Sequence, residues 1–411
     1  MPEVISRLPW QHEGDEADRK GAGRRNAGPF REQEARMKIG EDLRAIRELS
    51  ARCAAEHIAP RAGLHELVTF PPDLREALAR ERLFGIGVPA AYQGMGGGWL
   101  HLAAAGMELA RTGRSLGVAL SWLMHCLLSR FAFFGFCTDR QKLAYLPLLA
   151  SGARTPCLAI SEPGVGGHPK RLTTSAQQKG NLWSISGEKT FLTNGPIADL
   201  FVVLAVTGNS SGRKEYTAFI VPAESPGLRR TGPLDLGFLR PCPHGGIVLE
   251  NCEVPDENVL GRVGHAYEDI ALAFRRIEDV MMMAPFVGGA RALISLAAGL
   301  LAPGGKALSG EQEYLLGGAV SAADSLEVLA MEAASLLDEY RQDDPAIVSI
   351  PLFMRSTAAL VQEGIQGLVC SAGIEAGQPY DSLAHDLNSS LRIAANVARM
   401  RQAKLGRSLA G

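Results

Sequence analysis

The period of the apolar residues changes twice along this chain, and those changes constrain the fold more than any other feature. From Ile39 to Gly152 apolar residues recur at helical spacing, as in EDLRAIRELSARCAAEHIAP and PPDLREALARERLFGIG, with the glycine-rich break AYQGMGGG between helices. Past Cys157 come short alternating or β-branched runs, NLWSISGEKTFLTN, LFVVLAV, YTAFIVPA and GGIVLENCEVP, separated by Gly, Asn, Pro and Ser. From Tyr267 onward the helical pattern returns, rich in Ala, Leu, Met and Arg. Helices, then strands, then helices is a segregated order, which means α+β and not βαβ alternation. The expected architecture is an N-terminal helical domain over 37–155, a middle antiparallel β-barrel or sandwich over 156–264, and a C-terminal four-helix bundle over 265–411. Residues 1–36 mix Gly with charge of both signs and read as a disordered leader.

Bulk properties exclude some functions. A formal net charge of −2 over 411 residues gives no pull toward nucleic acid or an anionic membrane. The sequence holds no uncharged apolar run of about eighteen residues, the length a spanning helix needs. The N-terminus lacks the apolar core of a signal peptide, so a cytoplasmic location is expected. The seven cysteines are odd in number and scattered without CxxC spacing, which favours reduced core thiols over a metal site.

Three blocks within the strand region resemble those of acyl-CoA dehydrogenases: AISEPGVGGHP (159–169), SISGEKTFLTNGPIADLFVVLA (184–205) and GIVLENCEVPDENVLG (246–261). In that family an (S/T)EPxxGSD loop, a GxKxFITN strand and a VPxxNxLG exit occur in this order. YLPLLASGAR (145–154) is similar to the family's YLPxLAxGE lead-in, and the likeness runs from about Ile39 to about Leu405. The resemblance implies FAD as cofactor, with Ser161 and the backbone near Gly166 binding the flavin. It also implies that Thr193 hydrogen-bonds near N5 and that Phe191 stacks on the ring. A flat, mostly apolar ring with a polar edge wants such hydroxyls and backbone N–H groups. The plain alternative is that Ser161 caps a turn and Phe191 is a core strand residue. The family's Ser-Asp after the glycine is Gly167-His168 here, and His168 is given no role.

The family reaction takes a proton from the carbon α to a thioester, which needs one desolvated carboxylate. Most relatives carry that Glu in a late YEGT segment. Aligning AHDLNSSLRIAANVARM (384–400) puts Ala394 there. A minority branch, resembling isovaleryl-CoA and long-chain dehydrogenases, carries the Glu on an earlier helix. FRRIEDVMMMAPFVGGARAL (274–293) resembles that helix and places Glu278 at the base position. At about 100° per residue, Glu278 falls near Phe274, Met281, Met282 and Pro285, an apolar face that would raise its pKa. A register shifted by one puts Ile277 there instead, and Glu278 could equally form a solvated helix pair with Arg275. Met281, Met282 and Phe286 are candidates for the acyl pocket, with core packing as the alternative.

Other family elements are altered. In LLAPGGKALSGEQ (300–312), Gln312 matches the residue that reaches the flavin pyrophosphate of a neighbouring subunit, without the family's Arg and Phe. In QGLVCSAGIEAG (366–377), Gly373 matches the segment touching the adenosine, and Asp279 stands where the branch has Arg. The implied activity is α,β-dehydrogenation of an acyl thioester on coenzyme A or an acyl carrier protein. Electrons would leave to electron-transfer flavoprotein or another acceptor, from a homodimer or homotetramer. A flavin-dependent monooxygenase or oxidase on the same fold, or a catalytically silent paralogue with a structural role, are the alternatives.

Overall fold

The computed structural model describes residues 29–407 except 211, 342 and 394, and of 29–41 the backbone alone. Most of the expected leader, and Ala394, therefore lie outside the described residues. The first helical domain holds α1 (Pro29–His57), α2 (Pro72–Arg80), α3 (Trp99–Gly113), α4 (Leu116–Leu128) and α5 (Asp139–Ala150). Helix α1 begins inside the segment read as leader, because EQEARMK is built from good helix formers. Ser115 caps α4 by accepting from Val118 N, and Thr138 and Gln141 form a reciprocal capping box on α5. Helix α4 is buried on every side, with the Trp122 indole donating to Leu83 O at 3.1 Å.

The middle domain is one eight-stranded sheet of β1 (Pro156–Ala159), β2 (Ser175–Lys179), β3 (Leu182–Thr193), β4 (Leu200–Ser210), β5 (Arg213–Pro222), β6 (Leu228–Arg230), β7 (His244–Pro255) and β8 (Val259–Leu260). Its order is β6-β7-β3-β2-β4-β5-β8, with β1 alongside β4, and it does not close into a barrel. Two pairings depart from the antiparallel expectation: β1 runs parallel to β4, and β2 meets β4 through a parallel pair. Strand β4 explains the unbroken run LFVVLAV. Phe201 and Val203 enter the sheet's own core with Trp183, Phe219 and Ile247, while Leu200, Val202 and Leu204 pack into the helical core. A strand buried on both faces has no polar side to show.

The last domain contains α6 (Ala273–Met281), α7 (Met283–Leu301), α8 (Gly310–Asp338), α9 (Ala346–Ser371), α10 (Tyr380–Arg392) and α11 (Ala395–Arg407). Helices α7 to α10 pack on one another as the bundle, and α11 buries none of its described residues. Helix α7 also crosses α3 closely, because Gly288 lies directly on the Met107 carbonyl. Three helical stretches among the described residues, Leu116–Phe134, Tyr267–Leu301 and Gly310–Asp338, are long and apolar enough to cross a membrane. They carry interspersed charges, so no uncharged run gives them away in sequence. The first is buried almost throughout, and the second buries most of its apolar stretch, because they form the protein core.

Two substitutions test this packing. A Cβ at Gly288 would sit 2.1 Å from Met107 O. Gly288→Ala should therefore lower the unfolding free energy in urea by about 1–3 kcal/mol, despite the roughly 1 kcal/mol that Ala gains in helix propensity. In the sheet, the fully buried Lys189 ammonium pairs with the buried Glu162 carboxylate at 3.0 Å. Lys189→Met should cost about 3–5 kcal/mol, because it strands that carboxylate. Unchanged urea midpoints would contradict the close crossing and the pairing respectively.

Candidate active site

Two surfaces carry the chemistry-bearing residues. The first is at the end of β3. Glu162 is buried, and its carboxylate accepts from Thr173 N (2.7 Å), Thr173 Oγ1 (2.8 Å), Thr174 N (2.9 Å) and Lys189 Nζ (3.0 Å). Burial alone would raise its pKa, but the Lys189 ammonium and these donors outweigh it and hold the group at about 2. Lys189 also donates to Ile160 O, and Thr190 N donates to Ser161 O at 2.9 Å. The SEPG loop is thus pinned to β3, bringing Ser161, Gly166, Phe191 and Thr193 together.

The features of this patch suit a planar ligand. Phe191 has φ +57° and is 60% exposed, at a break in register between Lys189 and Leu192. A large side chain held in the left-handed region with its ring in solvent is strained and apolar at once, and leaves a ring face open to a ligand. The alternative of a core strand residue fails for Phe191. Ser161 is half-buried and its hydroxyl makes no hydrogen bond among the described residues, so it caps no turn there. Gly166 has φ +59°, and a Cβ on it would meet nothing, so the space beside this backbone is open. Thr193 Oγ1 lies 3.2 Å from His244 Nε2. Asn194, next in the chain, fixes the patch on α4: its amide donates to Ser121 O (2.8 Å) and its oxygen accepts from Ser121 Oγ (2.6 Å).

The second surface is a cavity of about 270 Å³ lined by Glu278, Met282, Phe286, Leu352, Leu239 and the α11 residue Val397, among others. Glu278 is half-buried, and it lines the cavity wall. Burial first, then neighbouring Asp279, raises its pKa to about 7, against a smaller opposing pull from Arg275. No salt bridge joins Glu278 to Arg275 among the described residues, so the solvated helix pair does not form. Ile277, the residue that the register shifted by one would put at this position, is fully buried in the core, whereas Glu278 reaches the cavity. Asp279 pairs instead with Arg401 of α11. Met282 and Phe286 line the cavity, whereas Met281 is core.

The loop between β6 and β7 connects the two surfaces. Leu239 lines the cavity and donates its N–H to buried Asp386 of α10 at 2.7 Å. The same loop ends at His244, the partner of Thr193. Burial raises the Asp386 pKa to about 6, with the Leu239 N–H opposing. Arg355 of α9 donates to the Ser390, Leu391 and Ile393 carbonyls, closing the end of α10 at the cavity edge.

Gln312 and Gly373 stand apart, at the same end of the α8–α9 hairpin. Gln312 is the reciprocal partner of Ser309 in a capping box on α8, its Oε1 accepting from Ser309 N at 2.9 Å. Gly373, φ +68°, terminates α9. Both thus have a local structural duty beside the cofactor contact that the resemblance implies for them. His244, Glu162, Lys189 and Asp386 were missed, although Glu162, Lys189 and Asp386 lie within the quoted segments.

The sequence profile of the acyl-CoA dehydrogenase N-terminal domain matches residues 40–153, and that of the middle domain matches 157–252. Both matches end before Glu278. An acyl-CoA dehydrogenase of Bacillus subtilis is 30% identical over 265 residues, covering 63% of this chain and 68% of that protein. A mitochondrial isovaleryl-CoA dehydrogenase of Solanum tuberosum is 35% identical over 222 residues, covering 53% of each. The chain thus spans roughly half to two-thirds of the length of these curated relatives. In architecture it is similar to a glutaryl-CoA dehydrogenase of Mycobacterium smegmatis solved in complex with FADH2, with a TM-score of 0.77 at 22% identity, covering 90% of this chain and 94% of that one. Sequence blocks, domain profiles and architecture agree that this chain belongs to the acyl-CoA dehydrogenase family.

Proposed function

We propose that this protein is an FAD-dependent acyl-thioester dehydrogenase in which Glu278 removes the α proton. The observation carrying this reading is the unpaired Glu278 carboxylate on an apolar cavity wall, with a pKa near working pH. The β3 patch fits FAD: an exposed aromatic for the ring face, two hydroxyls, and an open glycine backbone for the polar edge. A bound flavin supplies the two-electron acceptor for the substrate's β carbon. The chain's own work is to present Ser161, Phe191 and Thr193 to that group, to keep Glu278 ionisable yet poorly solvated, and to line the acyl space with Met282, Phe286 and Leu352. The relationship to acyl-CoA and isovaleryl-CoA dehydrogenases supports an acyl thioester as substrate, on coenzyme A or a carrier protein, and electron-transfer flavoprotein as an acceptor. Self-association is part of the proposal. Tyr314, Leu315, Val320, Val328, Phe353 and Leu360 leave the α8–α9 surface apolar and exposed, more than a lone protomer would show to water.

The purified protein should be yellow and bleach anaerobically with its acyl thioester. Coenzyme A and carrier-protein esters assayed in parallel name the carrier. Glu278→Gln should bind FAD normally and bleach at least about 10²-fold more slowly. In the native protein, bleaching should accelerate as pH rises through about 7, because the base must be ionised. The same shift predicts a stability effect of opposite sense. The folded pKa exceeds the unfolded one, so native stability falls as pH rises from the ordinary Glu range toward 7. Glu278→Gln should then be the more stable protein at pH 8, by on the order of 1–3 kcal/mol, and should lose that advantage at pH 4. Bleaching by Glu278→Gln at the native rate would refute the assignment. Light scattering should give a dimer or tetramer that Leu360→Arg dissociates, and a native monomer would remove the assembly from the proposal.

A further inference from the structure

His244 was not assigned a role by sequence, yet it touches the one hydroxyl that ends the β3 patch. Its Nδ1 lies 3.0 Å from Cys242 O and its Nε2 lies 3.2 Å from Thr193 Oγ1. A carbonyl oxygen offers only lone pairs, so Nδ1 must carry a hydrogen. Burial holds the imidazole pKa below its ordinary value, with the Cys242 carbonyl bond the smaller, opposing influence, so the ring is neutral at pH 7.5. A neutral ring protonated at Nδ1 has a bare Nε2, and Thr193 must then be the donor in the bond between them. Neither partner is free to turn away. His244 O accepts from Leu234 N at 2.7 Å, and Asn194 N donates to Pro243 O at 2.8 Å, fixing the backbone on both sides of the pair.

We propose that His244 is a positioning residue that sets the hydrogen-bond polarity of Thr193. It takes up the only Thr193 hydroxyl proton and leaves lone pairs alone to face the ligand side. Resting on the reading that a flavin edge lies against Thr193, this has a redox consequence. Oxidised flavin N5 offers a lone pair, which an acceptor oxygen cannot bond. Reduced flavin N5 carries an N–H, which donates to that oxygen. The pair therefore favours the reduced ring and raises the potential of bound flavin, so electrons are drawn from the substrate. With His244 removed, the hydroxyl is free to rotate and donate to oxidised N5, reversing the preference.

The first test needs no flavin to reveal the polarity. In full-length protein labelled with ¹⁵N-histidine at pH 7.5, the His244 signal is identified by its loss in His244→Gln. It should show a protonated Nδ1 and a bare Nε2. The opposite tautomer, or a doubly protonated ring, overturns the proposal. The second test is the midpoint potential of FAD-loaded protein by dye equilibration. His244→Ala should lower the reduced-to-oxidised ratio at fixed potential about tenfold, which is about 30 mV for a two-electron couple. His244→Gln, whose amide oxygen can accept from Thr193, should stay near the native value. In a Thr193→Val background, His244→Ala should produce no shift. A potential unmoved by His244→Ala refutes the inference while the flavoprotein reading stands, as does a shift that persists in the Thr193→Val background. If His244→Ala fails to fold or load, a His244→Gln potential displaced as far as about 30 mV refutes it instead. Native protein that binds no FAD refutes the flavoprotein reading itself, separately from the tautomer result.

Discussion

An unpaired carboxylate beside an apolar wall is what the rest of this structure has to hold in place. Left to itself, Glu278 would turn toward water or find a cation, and either would return it to the ordinary carboxylate range. Neither is seen: Glu278 is half-buried and forms no salt bridge among the described residues. Ile277 and Val280 are anchored in the core on either side, which orients the short helix α6. Asp279 holds the Arg401 guanidinium and Arg355 is held by the carbonyls at the end of α10, so two of the arginines lining the cavity are engaged elsewhere, and Arg275 exerts only a smaller opposing pull. The desolvation that costs stability is the same property that suits a carboxylate to proton abstraction near neutral pH.

Holding the acid is useful only with a redox partner, and a small number of polar contacts tie the elements of the β3 patch to those of the cavity. Asn194 locks the end of β3 to Ser121 on α4, and Asp386 locks Leu239 to α10. Between them, Thr193 and His244 tie the strand to the connecting loop. All these contacts are buried or half-buried hydrogen bonds, the first two between different domains and the third within the sheet, where each unmade bond would leave a desolvated polar group. The Gly288–Met107 approach sets the depth at which α7, and with it the neighbouring α6, meets α3.

Domain order was legible in the sequence because a change of apolar period from 3.6 to 2 reports which side of an element is buried. The doubly buried β4 was visible as LFVVLAV for the same reason. Parallel pairing of β1 with β4 was not, since register between strands far apart leaves no local pattern. Glu278 was legible only up to a shift by one, because Glu278 and Ile277 both neighbour apolar residues, and only packing tells which one enters the core. Phe191 was legible as a ring-stacking residue through the resemblance alone; its left-handed backbone depends on a bulge that no propensity encodes. Gln312 carries a duty that was legible and not drawn: Ser309-Gly310-Glu311-Gln312 is a capping box in plain sight, a local role beside the cofactor contact that the resemblance implies. His244 depends on a partner 51 residues away, which pairing of β3 with β7 alone supplies.

The most direct measurement of the central claim is an experimental structure of the FAD-loaded protein with a non-reactive acyl-thioester analogue. The account predicts the analogue's α carbon about 3–3.5 Å from a Glu278 carboxylate oxygen, with the flavin ring between that carbon and the Phe191–Thr193 edge. An analogue seated with another basic group at its α carbon, or with Glu278 turned out to bulk water, would contradict it.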